Sequence, residues 1–573
     1  MNYSFLEALR ERILIFDGAM GTMLMKYGLS SGRCPDEWNL SKPEVVEEIH
    51  RSYIDAGADC IETNTFGANR IRLASYHLED TVREINIAGV RIAREASKDR
   101  TYIIGSIGPT GKLLYPLGDL TFESAYKAFE EQALALEEGG ADAIIIETMT
   151  DLQEARIALL ACKENAKLPI ICQMSFEQNL RTITGTPPEV TALVLWSLGA
   201  DVVGANCSMG AEGLYRVLER MILSGVPFIS IQPNAGMPII QDGRIVYPES
   251  PEEMAEFAVK YAQLGASIVG SCCGSTPEHT RAIKNALNSV SKIPTKKELT
   301  AFTSKTKFIQ IDKTLPIIVI GEKINSYTED GKALVENEDL ERLIDLGREQ
   351  IRAGAHGVDV QLSLPGIDER SLLGQLILGF QQFGDVPLVF DIQDPEVLEM
   401  ALKLYPGRAL VNSVSLAPDR EKIILLVKKY GALAVGLTLG TTSYPSTAEE
   451  RLKNGEKLLS IIGPLERVGI IFDPLVFPVS IYPESIKETL KSIEYFSNNG
   501  YLTIIGLSNI SFGLPKRSLL NRAFLSMAVA RGLDSVILNP LDSELMDTLI
   551  TSQVLAGRTS IQEYTRRFVD KRE

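Results

Sequence analysis

The stretch Phe122-Glu-Ser-Ala-Tyr-Lys-Ala-Phe-Glu-Glu-Gln-Ala-Leu-Ala-Leu-Glu-Glu-Gly-Gly-Ala-Asp-Ala-Ile-Ile-Ile-Glu147 decides the fold class. Phe122–Glu138 spaces its apolar residues as an amphipathic helix does, and Gly139-Gly140 supplies a C-terminal stop. Ala143–Glu147 is then a short β-rich apolar run that ends on a carboxylate. The same unit recurs in both directions, which implies βα units and parallel strands. In the first half, strands are expected at Ile13–Asp17, Cys60–Asn64, Tyr102–Ser106, Ala143–Glu147, Pro169–Ser175, Val202–Ala205, Phe228–Pro233 and Ser267–Ser271, with helices such as Glu44–Ala56 and Pro251–Leu264 between them. The second half gives Ile317–Ile320, Gly357–Val360, Pro387–Asp391, Ala409–Val411, Ala434–Leu437, Ile470–Asp473, Leu502–Gly506 and Ser535–Leu538.

Eight units per half predict an α/β chain of two consecutive (β/α)8 TIM-type barrels. The expected domains are 1–292 and 315–573, with the Lys-, Thr- and Ser-rich stretch 293–314 as linker. A doubly wound open sheet in either half has the same strand count.

With 573 residues, 45% hydrophobic and 23% charged, the chain is ordinary for a globular protein and too long for one core. No stretch reaches the roughly 20 apolar residues that span a bilayer, and the N-terminus has no secretory pattern, so a cytoplasmic location and no membrane partner are expected. A net charge of −16 disfavours nucleic-acid binding and favours small-molecule chemistry. Seven cysteines in a chain this long read as reduced thiols.

Three of those thiols carry a pattern. Cys272-Cys273 follows the eighth strand, in Gly270-Ser-Cys-Cys-Gly-Ser-Thr-Pro277, and Cys207 follows the sixth, in Gly204-Ala-Asn-Cys-Ser-Met-Gly210. On a barrel, both positions lie on the C-terminal rim, where βα loops converge. Three thiolates suit Zn2+ and leave a fourth position for an incoming thiol, which the metal would hold as thiolate at neutral pH. A buried filler pair or a redox pair fits the spacing equally well. Cys34, Cys60, Cys162 and Cys172 are assigned to packing.

The second half contains no cysteine. Its strand ends carry Glu322, Asp359, Asp391, Asn412, Asp473 and Asn509. Such a ring suits a flat heterocycle whose edge alternates donors and acceptors: a pterin, or equally a nucleobase. Each residue taken singly is also a common cap or turn former.

Taken in order, Asp17-Gly-Ala-Met-Gly-Thr22, Glu62-Thr-Asn-Thr-Phe-Gly67, Gly105-Ser-Ile-Gly-Pro109, Glu147-Thr148, Gly204-Ala-Asn-Cys207, Gln232-Pro-Asn-Ala-Gly236 and Gly270-Ser-Cys-Cys-Gly274 resemble the motifs of the homocysteine S-methyltransferases. The resemblance implies a zinc barrel with Cys207, Cys272 and Cys273 as metal ligands, and Asp17 and Glu147 on the substrate ammonium. It also makes Asn234 an oxygen ligand when no thiol is bound. In the second half, Gly321-Glu-Lys-Ile-Asn325, Gly357-Val-Asp359, Pro387-Leu-Val-Phe-Asp391, Val411-Asn-Ser413, Phe472-Asp-Pro474 and Gly506-Leu-Ser-Asn509 resemble pterin-binding barrels.

The order of the two is that of the cobalamin-dependent methionine synthase family. It implies methyl transfer from 5-methyltetrahydrofolate via cobalamin to homocysteine, with Glu322, Asp359, Asp391, Asn412, Asp473 and Asn509 around the folate. None of the four histidines sits in the family's Asp-x-His-x-x-Gly cobalamin motif. A cobalamin-binding domain in cis or in trans is therefore the expected partner. The competing expectation is a zinc homocysteine S-methyltransferase that draws its methyl group from a sulfonium or a betaine.

Overall fold

The computed structural model describes residues 3–241, 244–293, 299–441, 444–463 and 467–569. The chain divides into two compact units, Met1–Glu298 and Leu299–Glu573.

In the first unit, eight parallel strands run β1 (Leu14–Ile15), β2 (Cys60–Glu62), β3 (Tyr102–Ile107), β4 (Ala143–Met149), β5 (Ile170–Met174), β6 (Val202–Asn206), β7 (Ile229–Gln232) and β8 (Ile268–Val269). Each pairs with its sequence neighbours, and β8 pairs with β1. A parallel bridge between Phe16 and Cys60 joins β1 to β2 and closes the ring. This is a barrel, and the open-sheet alternative falls with that bridge. Its strands are fully buried runs such as Ile144-Ile-Ile146, as parallel strands covered by helices must be. The N-terminal end of the barrel is stopped by helix Phe5–Glu11, whose Phe5, Ala8 and Leu9 join Leu14, Ile104, Ile145, Ile171 and Val202 in one apolar cluster.

The second unit repeats the architecture with β9 (Ile318–Asn325), β10 (Gly357–Gln361), β11 (Leu388–Phe390), β12 (Leu410–Val414), β13 (Leu433–Leu437), β14 (Ile470–Asp473), β15 (Ile504–Gly506) and β16 (Ser535–Leu538). A bridge between Phe472 and Thr503 closes this ring at β14 and β15. Its floor is made differently. Thr300–Thr303 and Phe308–Ile311 form an antiparallel hairpin whose Phe302 and Ile311 sit in the barrel cluster with Ile320, Val389, Leu410 and Val435.

The hairpin lies inside the stretch read from sequence as linker, of which 294–298 fall outside the described residues. The four-residue strands Thr-Ala-Phe-Thr and Phe-Ile-Gln-Ile are too short to show a period. What holds them is tertiary: Arg408 Nη1 donates to the Ala301 carbonyl at 3.0 Å and Tyr405 Oη to the Thr303 carbonyl at 2.8 Å. A second hairpin, Ile239–Gln241 with Arg244–Val246, leaves the first barrel after β7. Among the described residues, no helix is long and apolar enough to cross a membrane.

Because Phe302 is fully enclosed, Phe302→Ala is expected to destabilise the second unit by about 3–5 kcal/mol. Denaturant unfolding should show its transition moving while that of the first unit stays. No shift would mean that the hairpin is dispensable.

Candidate active sites at the two barrel mouths

Cys207 lies one residue beyond β6, and Cys272 and Cys273 lie just beyond β8. The barrel brings the three together: their sulfurs lie within 4.8 Å of one another, and Cys207 Sγ is 3.9 Å from Cys273 Sγ. The loops are tied by main-chain bonds through the segment after β7. Cys207 N donates to Gln232 O at 3.1 Å, Cys272 N to Pro233 O at 2.7 Å, and Ala235 N to Cys273 O at 3.0 Å.

Cys207 and Ser208 both hold left-handed backbone (φ 58° and 57°), a strain of about 1 kcal/mol or more each that the surrounding bonds sustain. Gly274 is required by shape as well as by its φ of +82°, since a Cβ there would lie 2.0 Å from Cγ of Tyr247. S–H donation from Cys272 and Cys273 draws Cys207 far below the ordinary thiol range, and the two donors are pushed up in return. Cys34, Cys60, Cys162 and Cys172 are all buried, in keeping with packing roles.

The donor set fits a divalent, borderline-soft cation. Zn–S bonds of about 2.3 Å in a tetrahedron put sulfurs roughly 3.8 Å apart, close to the observed Cys207–Cys273 separation. Asn234 Oδ1, in the loop after β7, is buried without a hydrogen-bond partner.

Next to the thiols stand carboxylates. Asp17, after β1, takes the Glu62 N–H on Oδ2 at 3.1 Å, while its Oδ1 is buried and unpartnered. Glu147, on β4, accepts from Ser106 Oγ at 2.5 Å and from Asn206 Nδ2 at 3.1 Å. Burial raises Glu147 to about 7, and burial together with the charge of Glu147 pushes Asp17 up well above the carboxylate range.

Two residues of this mouth had no role assigned from sequence. Asn206 Nδ2 also reaches Thr148 Oγ1 at 2.8 Å and Cys272 Sγ at 4.0 Å, so one amide spans the carboxylate and thiol groups. Glu62, at the end of β2, is raised by burial and by the charges of Glu147 and Asp17, and accepts from Gln232 Nε2 at 2.7 Å. Left-handed Thr148 (φ 57°), directly after Glu147 and bonded to Asn206 Oδ1 at 2.8 Å, belongs to the same constellation. The available signal was the placement of Glu62 and Asn206 at strand ends.

At the second mouth, Asp359 on β10 is buried and receives Asn412 Nδ2 from β12 at 3.2 Å. Burial and the charge of Asp391 push Asp359 well up. Asp391, after β11, is itself raised to about 6 by burial and accepts from Gln393 Nε2 at 3.1 Å. Glu322 on β9 is raised by burial and accepts from Ser508 Oγ at 2.6 Å. Asp473, ending β14 on the facing arc, is raised to about 6 by burial and accepts from Leu475 N at 2.7 Å. Asn509 lies in the short turn Leu507–Ser511 after β15. Asp359, Asp391 and Asn412 thus form one interacting group, with Asp473 and Asn509 across the barrel.

Among the segments that follow β13 and β14, a cavity of about 600 Å3 is lined by Tyr444, Phe477, Tyr482 and the fully buried Arg451. Arg451 holds the loop after β14 by donating to Pro474 O at 2.8 Å and Leu475 O at 3.3 Å.

Comparison with known proteins follows the same division. Residues 14–287 match the family described as homocysteine S-methyltransferase, and residues 325–539 match that described as pterin binding enzyme. Over 575 residues the chain is 30% identical to methionine synthase of Mycobacterium tuberculosis (strain ATCC 25618 / H37Rv), an alignment covering 93% of this chain and 48% of that protein. The methionine synthase of Mycobacterium leprae (strain TN) is likewise 30% identical over 580 residues. The chain spans about half the length of the curated relatives it matches. Among solved structures, the metallated homocysteine methyltransferase of Escherichia coli aligns with 22% identity and a TM-score of 0.41, over 49% of this chain and 98% of that one.

The raised carboxyl of Glu147 fixes the sign of a pH effect. A group whose folded pKa lies above its unfolded value holds its proton preferentially in the fold. Its contribution is therefore present below about 4.5 and lost as pH rises towards about 7. Glu147→Gln should flatten that fall in the ligand-free chain, gaining stability relative to the parent between pH 5 and pH 8 in urea unfolding. A parallel pH dependence in both proteins would show that Glu147 is not titrating in this window.

Proposed function

We propose that the chain is a methyltransferase of methionine synthesis that moves a methyl group from 5-methyltetrahydrofolate to the sulfur of homocysteine. The N5–CH3 bond breaks and an S–CH3 bond forms. The thiol loses its proton, N5 of the folate gains one, and methionine and tetrahydrofolate are released. The observation that carries the reading is the convergence of Cys207, Cys272 and Cys273 beside an uncompensated carboxylate group, in one chain with a barrel of the pterin-binding family.

In the first barrel, Cys207, Cys272 and Cys273 would hold zinc, with Asn234 close by as an oxygen donor. Bound zinc supplies a position where a substrate thiol is kept as thiolate at neutral pH. The chain's own residues do the rest. Asp17 and Glu147 face a group they can only match with a cation, which suits the α-ammonium of homocysteine. Asn206 keeps the carboxylate that receives the ammonium in register with the thiols that receive the sulfur.

In the second barrel, Asp359 and Asp391, steadied by Asn412 and Gln393, present acceptors to the N–H edge of a pterin. Glu322, Asp473 and Asn509 complete the ring around it.

Cobalamin is the methyl carrier that the family order implies, and none of the four histidines stands in the Asp-x-His-x-x-Gly motif that would hold it. The carrier would belong to a cobalamin-binding domain in cis or in trans.

Mixing the chain with methyltetrahydrofolate and free cob(I)alamin, followed by visible absorbance, tests the folate half. Methylcobalamin should form and should fall at least 100-fold with Asp473→Ala, by analogy with loss of a buried charged contact of about 3 kcal/mol. No methylcobalamin from the unaltered chain would overturn the folate reading and favour a homocysteine methyltransferase with a sulfonium or betaine donor.

A further inference from the structure

We propose that Glu62 is a specificity-determining residue of the first site, the third carboxylate around the substrate's amino group, and that it makes the pocket demand a free, cationic α-amino group on the thiol it accepts. The inference rests on the homocysteine reading of this barrel. Asp17 follows β1, Glu62 ends β2 and Glu147 lies on β4 at one mouth; the Glu62 N–H donates to Asp17 Oδ2 at 3.1 Å, and the charge of Glu147 disfavours ionisation of both Asp17 and Glu62. Among the described residues, no ion pair reaches any of the three. Asp17, only 2% exposed, has Oδ1 without a partner, so the group as it stands lacks a donor.

An ammonium brings what is missing: one positive charge and three N–H donors, one for each carboxylate. One ionised carboxylate already matches the charge, and a second adds an acceptor. The third supplies the last acceptor and leaves no room for an N-acylated or deaminated ligand to be tolerated, because a buried carboxylate would then stay unpaired.

The placement of Glu62 is coupled to the thiols. Gln232 Nε2 donates to Glu62 Oε1 at 2.7 Å, Gln173 Nε2 donates to Gln232 Oε1 at 2.5 Å, and the Gln232 carbonyl accepts from Cys207 N at 3.1 Å. Through Gln232, then, the carboxylate that checks the amino group is anchored to the loop that receives the sulfur. A glutamine at position 62 would keep the volume and an acceptor for Gln232 while removing the charge.

The test is calorimetric titration of the zinc-loaded chain with L-homocysteine and with 4-sulfanylbutanoate, which is homocysteine without its amino group. The unaltered chain should bind the deaminated thiol at least 30-fold more weakly. In Glu62→Gln, homocysteine affinity should fall at least tenfold while 4-sulfanylbutanoate binds as before or tighter, and Glu62→Asp should recover part of the discrimination. Unchanged discrimination in Glu62→Gln, or equal loss of both ligands, would overturn the role of Glu62 and leave the homocysteine reading standing. An unaltered chain that binds neither thiol would overturn both.

Discussion

Three sulfurs held within 4.8 Å of one another cannot all be ionised without a cation, and this constraint organises the first barrel. Hydrogen bonding among the sulfurs favours the thiolate at Cys207 and disfavours it at Cys272 and Cys273. A soft divalent ion would displace the remaining thiol protons and let each sulfur act as a ligand. The loops pay for the arrangement in left-handed backbone at Cys207 and Ser208, and in a glycine at 274 that Tyr247 leaves no space to replace. Closure of the ring makes it possible, because thiols separated by 65 residues meet only when β6, β7 and β8 lie side by side.

The two mouths share a second feature. Each holds buried or half-buried carboxylates that make no ion pair among the described residues: Asp17, Glu62 and Glu147 in the first, Asp359 and Asp391 in the second. Isolated buried charges are costly, so such groups stay protonated or wait for a ligand with donors. An amino acid offers an ammonium and a pterin offers a row of N–H groups. On the proposed reading, the barrels would discriminate by the same means, a donor-poor pocket that a donor-rich ligand completes, on different substrates.

The sixteen barrel strands were legible in the sequence because parallel strands covered by helices are near-continuous apolar runs, and several lead directly into a polar residue that the structure places at a mouth, such as Asp17, Glu62, Asp391 and Asp473. The thiol group was legible because cysteine is rare in this chain and the two loops were readable as strand ends. The hairpin Thr300–Thr303 with Phe308–Ile311 was not, since its burial comes from Tyr405 and Arg408, about a hundred residues away. Glu62 and Asn206 stood in quoted motifs but acquired roles only through Gln232, Thr148 and Cys272, contacts between strands that no local pattern encodes.

The account turns on the claim that Cys207, Cys272 and Cys273 bind one zinc ion and leave it a place for the substrate's sulfur. Zinc-edge X-ray absorption of the purified chain, before and after homocysteine, tests this most directly. Three sulfur neighbours at about 2.3 Å, becoming four when homocysteine is added, is the expected result. Fewer than three sulfurs at the start, or a sulfur count that homocysteine leaves unchanged, would contradict it.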